Sequence, residues 1–469
     1  MQSNTRAAQT SASKKRCLWL VGVMLAAGIS ACQTEEILVQ TPVIVAEFDP
    51  TNGVIPTPND ILVDRETGLI AIPIDESTYE EKSAAEIDVI KVLNTREAWS
   101  TRSEAKLTFS GALDPLSVDV STIQVFEAAP GQGFEPLTPS LRLEPADAPT
   151  AVVVEVPDGG WKPGAQIVVA ALGGEDGLRG LRGEPVVADA AFWFLRLQES
   201  LVDNAKALPG ATDEERLENA EKLEDIRLDL VTHFDAFEAR GVSRNEIAQL
   251  WSFHITKAPE LFMDKDAGKM PLPSDFLRNP QTGLVELPIK ETYSDFKAHS
   301  VKAINKMDGF GLSSPLFFDL TLPIQPSTLS EESVRLFEMK TDGSFRERSL
   351  DRQVRADNKS FKLKVTDGIL EQNAQHVLVI TDALKTADGK SIEAMTAGIL
   401  AMADAPVVED EKSTIASLDL ESAQKLELVR GTTALALQGL AEAGTVARDS
   451  IRGAWSFKTQ DLKAPMMQM

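Results

Sequence analysis

Short stretches of alternating apolar and polar residues recur along this chain. Alternation with a period of two is typical of a β-strand that buries one face. It is clearest in five stretches, residues 106–109, 151–156, 166–170, 360–365 and 375–380. Asp-Gly, Pro-Gly and Asp-Pro pairs lie between such stretches and predict turns. The whole pattern predicts antiparallel β-sandwiches.

Two longer segments follow a helical period instead. Thr212 and Glu215 have the spacing of a capping box, which predicts the start of a helix. One apolar stripe is expected along this helix, formed by Leu223, Ile226, Leu230, Phe234 and Phe237. Gly241 would end the helix. Residues 421–442, followed by Gly444, predict a second helix of the same kind.

The helical segments belong to an internal repeat. Matching motifs occur in the same order in both parts of the chain, at an offset that falls from 215 to 204 residues. The N-terminal copy carries Phe48-Asp49-Pro50-Thr51-Asn52-Gly53, Pro56-Thr57-Pro58-Asn59-Asp60, Asn94 and Trp251-Ser252-Phe253. The C-terminal copy carries Met263-Asp264-Lys265-Asp266-Ala267-Gly268, Pro271-Leu272-Pro273-Ser274-Asp275, Asn305 and Trp455-Ser456-Phe457. Where the copies differ at Gly164 and Asn373, both residue types suit a left-handed backbone.

We therefore expect a mainly β fold with helical inserts (α+β), built from two tandem repeats. The predicted organisation is a signal peptide at residues 1–31, a tether at 32–43, a first repeat at 44–260 and a second repeat at 261–469. The helical inserts are expected at about residues 200–250 and about residues 410–452, before the last strand of each repeat. The aromatic residues of the last strands should lie in the core: Trp251, Phe253, Trp455 and Phe457.

The motifs of the repeat resemble those of a known family. The string from Phe48 to Asp60 resembles the opening of the bacterial virulence-factor lipase N-terminal region, which precedes the hydrolase domain of large extracellular lipases. Residues 94–101 and 305–310 are similar to its Asn-x-x-Asp-Gly-Phe-Ser-Thr stretch, and residues 450–460 look like the strand that leads into the hydrolase. The resemblance implies turn and core roles for these residues, without a catalytic assignment. The chain stops at Met469, where the hydrolase domain would begin.

Strand and turn pieces of both copies also resemble bacterial Ig-like surface domains. The pieces are Leu113-Asp114-Pro115 in the first copy and Asp388-Gly389-Lys390 in the second. This resemblance implies that each repeat is an Ig-like antiparallel β-sandwich with a helical insertion before its last strand.

The N-terminus predicts export and lipid attachment. Residues 1–31 carry four basic residues and no acidic one, and the apolar run at 17–28 is too short to span a bilayer as a mature helix. Ile29-Ser30-Ala31-Cys32 looks like a bacterial lipobox, so lipid is expected on Cys32. This lipid would hold the protein on a membrane. By resemblance to Gram-negative lipoproteins, Gln33 after the cysteine favours the outer membrane, on its periplasmic or surface-exposed side.

Charge and cysteine content narrow the classes of partner. The formal charge of the chain is −24, and the part after residue 31 carries −28, so nucleic-acid partners are excluded. Apart from Cys32 the only cysteine is Cys17, in the leader, so a disulfide and a thiolate metal site are not expected in the mature chain. No cofactor is predicted.

The residues favour a protein that is not an enzyme. A lipase of the resembled kind needs Gly-x-Ser-x-Gly with a histidine and an acid, and that motif does not occur. Four histidines exist, and we place His233 on the charged helix and His299 before a strand. Asp264 and Asp266 are spaced like the start of a calcium loop, but the further acidic ligands of such a loop are missing, which favours a turn.

Two functions follow from these features. The first is a non-catalytic cell-envelope lipoprotein, a binding or accessory module whose partner is a protein, a glycan or a lipase. The second is the N-terminal accessory part of a secreted lipase or esterase whose catalytic domain is missing or separately encoded.

Overall fold

A four-stranded antiparallel sheet forms the centre of each half of the fold. The structure is a computed structural model, and it describes residues 42–129, 133–264 and 268–462. We call residues 42–258 the first half and residues 259–462 the second half. The described residues form twenty strands and seven α-helices, which confirms the predicted mainly β fold with helices. The predicted signal peptide and Cys32 lie outside the described residues.

The strands of the first half are β1 (Ile44–Ala46), β2 (Ala105–Thr108), β3 (Ile123–Ala128), β4 (Glu135–Leu137), β5 (Leu141–Glu144), β6 (Ala151–Val154), β7 (Gln166–Leu172), β8 (Val186–Ala188) and β9 (Ile247–His254). Its helices are α1 (Glu76–Glu81), α2 (Ala84–Leu93), α3 (Ala190–Leu195) and α4 (Asp213–Glu238).

The strands of the second half are β10 (Glu260–Leu261), β11 (Leu316–Asp319), β12 (Val334–Met339), β13 (Phe345–Arg348), β14 (Leu350–Val354), β15 (Ser360–Val365), β16 (Gln375–Thr381), β17 (Glu393–Ala394), β18 (Val408–Glu409), β19 (Lys412–Ser413) and β20 (Ile451–Lys458). Its helices are α5 (Asp295–Ile304), α6 (Thr396–Met402) and α7 (Leu420–Glu442).

The two halves have the same sheet topology. In the first half the sheets have the orders β4-β3-β7-β9, β2-β6-β5 and β1-β8, and in the second half β13-β12-β16-β20, β11-β15-β14 and β10-β17. Even the register shift that interrupts β7 between Ala171 and Leu172 recurs in β16 between Ile380 and Thr381. The helices α3 and α4 precede β9, and α6 and α7 precede β20.

Both faces of each four-stranded sheet are buried, which explains the apolar composition of their last strands. One face shares a core with the three-stranded sheet, and Trp251 and Phe253 of β9 lie in that core. The opposite face packs on helices, so that Leu250 of β9 meets Phe234 and Phe237 of α4. The second half repeats this arrangement, with β20 between the sheet core and α7. The predicted core positions of Trp251, Phe253, Trp455 and Phe457 are confirmed, since each is at most 2% exposed.

Left-handed backbone occurs where the repeat predicted it. Gly164 has φ of 75° and Asn373 has φ of 50°, so the glycine of the first half is replaced by the residue type that best tolerates this conformation. The division of the chain into two domains between residues 260 and 261 stays a prediction. Strand β10 spans that point, and the described residues from Pro42 onward belong to one compact unit.

Two local predictions were wrong. Thr212 caps α4 by accepting a hydrogen bond from the Glu215 amide, but the Glu215 carboxylate accepts from the Ala211 amide instead of completing a capping box. His299 does not precede a strand, because it lies inside helix α5. That helix buries none of its residues, so it has no apolar stripe by which its period could be recognised.

Candidate functional site

A carboxylate in each half fixes the last strand to the loop that follows the first strand. Asp275 is fully buried, and it accepts hydrogen bonds from Ser456 Oγ at 2.9 Å and from the Lys458 amide at 3.1 Å. Asp60 has the same place in the first half, where it accepts from Ser252 Oγ at 3.2 Å and from the His254 amide at 2.9 Å. The serine of the Trp-Ser-Phe motif is therefore a partner of this carboxylate.

This anchor brings a serine, a histidine and an aspartate together in the first half. His254 Nδ1 lies 2.9 Å from Asp60 Oδ2, and this hydrogen bond raises the pKa of His254. Ser252 and His254 are two residues apart on one strand, so their side chains share a face of the sheet. This spacing of a serine and a histidine is the signal in the sequence for a cluster that we did not predict.

The order of the three groups differs from that of a catalytic triad. In a triad the histidine stands between serine and acid, so that it can take the serine proton. Here Asp60 stands between the other two and contacts both Ser252 and His254. The second half repeats the contacts with Lys458 in place of the histidine. The cluster is therefore an anchor common to both halves, without the geometry of a nucleophile and base.

A second histidine continues the cluster into the interior. Gln166 Nε2 lies 3.3 Å from both Ser252 Oγ and His233 Nε2. Burial lowers the pKa of His233 to about 4, so the ring is neutral at neutral pH. The adjoining cavity has a volume of only about 10 Å³, lined by Phe126, Phe134, Val168, His233, Ala236, Phe237 and Arg240. Such a space holds about one water molecule, so it cannot take an organic ligand.

The first of the two candidate calcium residues, Asp264, follows strand β10 and forms an antiparallel bridge with Lys269. Asp264 is 3.0 Å from Arg102 Nε of the first half, and Asp266 lies outside the described residues. At the corresponding turn of the first half, Asp49 accepts hydrogen bonds from the amides of Thr51 and Asn52. Across residues 42–129, 133–264 and 268–462 no group of three His, Cys, Asp or Glu side chains is placed to hold a metal ion.

The asparagines of the family-like motif have structural contacts in both halves. The Asn94 side chain accepts from the Ile72 amide and donates to the Ile72 carbonyl, both at 2.9 Å. Asn305 makes the same pair of hydrogen bonds with Leu287, again at 2.9 Å. Each asparagine therefore links the end of a helix to an extended segment by hydrogen bonds. These contacts give the asparagine of the motif a structural role.

A buried polar contact joins the two halves. Glu260 Oε2 of the second half accepts from the Thr101 amide at 2.8 Å and from Thr101 Oγ1 at 2.6 Å. Arg96 of the first half donates to the Ala394 carbonyl, and its Nη1 lies 3.8 Å from Glu393 Oε2. Burial raises the pKa of Glu393. These groups make a specific contact between the halves that the sequence did not predict.

The matching strand pair of the first half is apolar. Glu260 pairs with Glu393 in β10-β17, whereas Val45 pairs with Val187 in β1-β8. The carboxylates belong to the strand pair that Arg96 and Thr101 of the first half contact. The corresponding Val45 and Val187 of the first half are half-buried.

Three solved structures of S-layer proteins match part of this chain. Domains 1–6 of surface layer protein SbsC match over 43% of this chain and 27% of their own length, with 13% identity and a TM-score of 0.16. S-layer protein rSbsC(31-844) matches over 40% and 25%, with 12% identity and a TM-score of 0.16. The N-terminal part of the bacterial S-layer protein SbsC matches over 44% and 46%, with 13% identity and the same TM-score. This chain thus spans less than half the length of each of these structures.

Sequence comparisons assign no family. No protein-family model matches the chain, and no curated protein matches it. Within the described residues no helix is both long and apolar enough to cross a membrane.

Proposed function

We propose that this chain is a non-catalytic lipoprotein of the cell envelope, held on the outer membrane by lipid on Cys32. The observation that carries the proposal is the lipobox-like Ile29-Ser30-Ala31-Cys32 after a basic and then apolar leader. Several acyl chains anchor firmly, because each buried CH₂ contributes roughly 0.8 kcal/mol. The two halves would be Ig-like units that bind a protein, a glycan or a cognate lipase.

The contacts of the conspicuous polar residues favour a structural role for them over a catalytic one. Asp60, Ser252 and His254 hold a strand in place, and the second half makes the same contacts without a histidine. Asn94 and Asn305, which carry the family resemblance, bond to backbone. Residues that a hydrolase would use for chemistry are thus engaged in stabilising the fold.

Metabolic labelling with a palmitate analogue tests the anchor. We expect the wild type to take up label and to sediment with membranes, and Cys32→Ser to lose both properties. Cys17→Ser is the matched control, because it removes the other cysteine of the chain and should keep the label. Label on the Cys32→Ser protein would refute the proposal. Gln33→Asp tests which membrane carries the protein, since it should move the protein from the outer to the inner membrane fraction.

An ester hydrolysis assay tests the absence of catalysis. The soluble Cys32→Ser form should not hydrolyse short or long p-nitrophenyl esters, with or without calcium, because an unactivated serine is a weak nucleophile. Turnover that disappears in Ser252→Ala or His254→Ala would show that the cluster at Asp60 is catalytic after all.

The alternative is the accessory part of a secreted lipase. The resemblance of residues 48–60 and 305–310 to the lipase N-terminal region favours it. An adjacent reading frame that encodes Gly-x-Ser-x-Gly, and whose product binds this chain, would support this alternative.

A further inference from the structure

We propose that an exposed apolar tip on the first half rests on the lipid surface to which the chain is anchored. The tip consists of Val43, Leu116 and Leu181. The partner is a zwitterionic lipid surface, and the proposal rests on the lipid attachment at Cys32 proposed above.

The three residues lie at one end of the first half. The Ile44 amide donates to the Pro185 carbonyl at 3.1 Å, and the Leu181 amide donates to the Ala112 carbonyl at 3.2 Å. Leu116 lies in the loop before β3, and Leu181 lies in the loop between β7 and β8. The side chain of Ile44 fills the space between these two loops, since a Cβ added at Gly111 would lie 2.6 Å from it. The start of β1 and both loops therefore form one packed end.

All three tip residues are exposed, and Leu116 is the most exposed large apolar side chain among the described residues. Leu116 is 91% exposed, Leu181 is 56% exposed and Val43 is 46% exposed. Single exposed apolar residues are common on protein surfaces, whereas a group at one end of a domain indicates a contact. No other part of the chain that the structure describes covers Leu116.

The second half shows that the fold does not require these leucines. The Asp114 amide bonds to the Arg179 carbonyl at 2.8 Å, and the Gln325 amide bonds to the Lys385 carbonyl at the same distance. With the loops aligned in this way, Leu116 corresponds to Ser327 and Leu181 corresponds to Ala387.

Part of the same end of the second half contacts the first half, while Ser327 and Ala387 themselves are exposed. Lys390 Nζ, which lies on one of its loops, is 2.7 Å from Glu97 of the first half, and Glu260 bonds to Thr101. The exposed positions of the second copy are thus small residues. The copy that follows the proposed anchor has leucines.

Chain length and charge favour a lipid partner. Val43 follows Cys32 by eleven residues, which reach at most about 3.6 Å each, so an anchored Cys32 keeps this end within roughly 40 Å of its lipid. The net charge of −28 after residue 31 opposes approach to anionic head groups. Contact through leucines on a zwitterionic surface avoids that repulsion, and we expect it to be insensitive to salt.

A polarity-sensitive dye on the mature chain tests the tip. The Cys32→Ser protein, which has no other cysteine after residue 31, is held on phosphatidylcholine vesicles through an N-terminal His tag and a nickel-chelating lipid. Dye is attached at Leu116→Cys or Leu181→Cys, and at Leu435→Cys as the control, since Leu435 is 62% exposed on α7. We expect a blue shift of emission and quenching by lipid-borne quencher at 116 and 181, and neither at 435.

The result is independent of the lipidation test because the tag replaces the acyl anchor. If the wild type took up no palmitate label but the dye result were positive, the proposed anchor at Cys32 would be refuted and the lipid affinity of the tip would stand. Adding Leu116→Ser to the Leu181→Cys protein should return the emission toward its value in water, with an unchanged melting temperature. Equal spectra at 116 and 435 would overturn the proposal. A blue shift at 116 in concentrated protein without vesicles would also overturn it, in favour of contact between copies.

Discussion

Replacing Asp275 by asparagine should destabilise the protein much more than the same change at Asp60. The Asp275 carboxylate accepts three hydrogen bonds, from Ser456 Oγ at 2.9 Å, from the Lys458 backbone amide at 3.1 Å and from Arg278 Nη1 at 3.0 Å. Asparagine has the same shape, and Ser456 Oγ can accept a hydrogen bond from its NH₂, so the main loss is the negative charge of the carboxylate. The substitution would also leave Arg278, whose side chain is 7% exposed, without this counter-charge.

The magnitude follows from burial. Removing one partner of a buried ion pair costs about 3–5 kcal/mol, and we expect Asp275→Asn to reduce the free energy of unfolding by that amount. Asp60 is less buried, with 24% of its side chain exposed, and it faces a histidine that is 55% exposed. The ring of His254 can accept a hydrogen bond from an asparagine NH₂. The loss for Asp60→Asn should therefore be about 1 kcal/mol, the net value of one hydrogen bond.

Urea unfolding followed by tryptophan fluorescence measures both variants. Trp455 donates to the Pro273 carbonyl at 3.0 Å, two residues before Asp275, so its emission reports on this region. The midpoint should fall for both variants at an unchanged slope, and much further for Asp275→Asn. Equal losses, or a loss below about 1 kcal/mol for Asp275→Asn, would refute the argument that a buried carboxylate surrounded by donors holds the last strand.

Three further predictions concern buried groups. Trp251→Ala and Trp455→Ala should each cost about 3–5 kcal/mol in urea unfolding, and an unshifted midpoint would place the indole outside the core. Burial lowers the pKa of His376 to about 4, so stability should fall as pH drops below 6.5 toward 4, by up to roughly 3 kcal/mol. His376→Ile, which introduces the residue of the first half (Ile167), should flatten this pH dependence, and an unchanged profile would contradict the assignment. Burial raises the pKa of Glu393, so its ionisation lowers the free energy of unfolding as the pH rises. Glu393→Gln should therefore gain stability relative to the wild type with rising pH. A difference in unfolding free energy that stays constant with pH would contradict this.

Those parts of the fold that depend on local pattern could be predicted from the sequence. Alternation located β15 and β16, and the helical period located the stripe of α4 that packs on the sheet. The exchange of Gly164 for Asn373 predicted a left-handed backbone at both positions. In each case the determinant lies within a few neighbouring residues or within one repeated motif.

Contacts between distant residues could not be predicted in this way. Asp60 and His254 are 194 residues apart, and nothing near Asp60 indicates which strand its carboxylate meets. The capping box at Thr212 failed for a local reason, because the Glu215 carboxylate could choose between two adjacent amides and bonded to that of Ala211. The sequence pattern identifies candidate hydrogen-bond donors and acceptors, but only the folded structure shows which of them pair.

The differences between the two halves carry information that their similarities do not. Glu260 and Glu393 of the second half occupy the positions of Val45 and Val187 in the first half. An alignment of the two copies would show these differences only as sequence divergence. In the structure the glutamates meet Thr101 and Arg96 of the first half. Buried charges of this kind add little net stability, because desolvation offsets their attraction, but an unmatched partner is penalised. Their consequence is a fixed placement of one half on the other. Val45 and Val187 carry no charge that would specify such a contact for the first half.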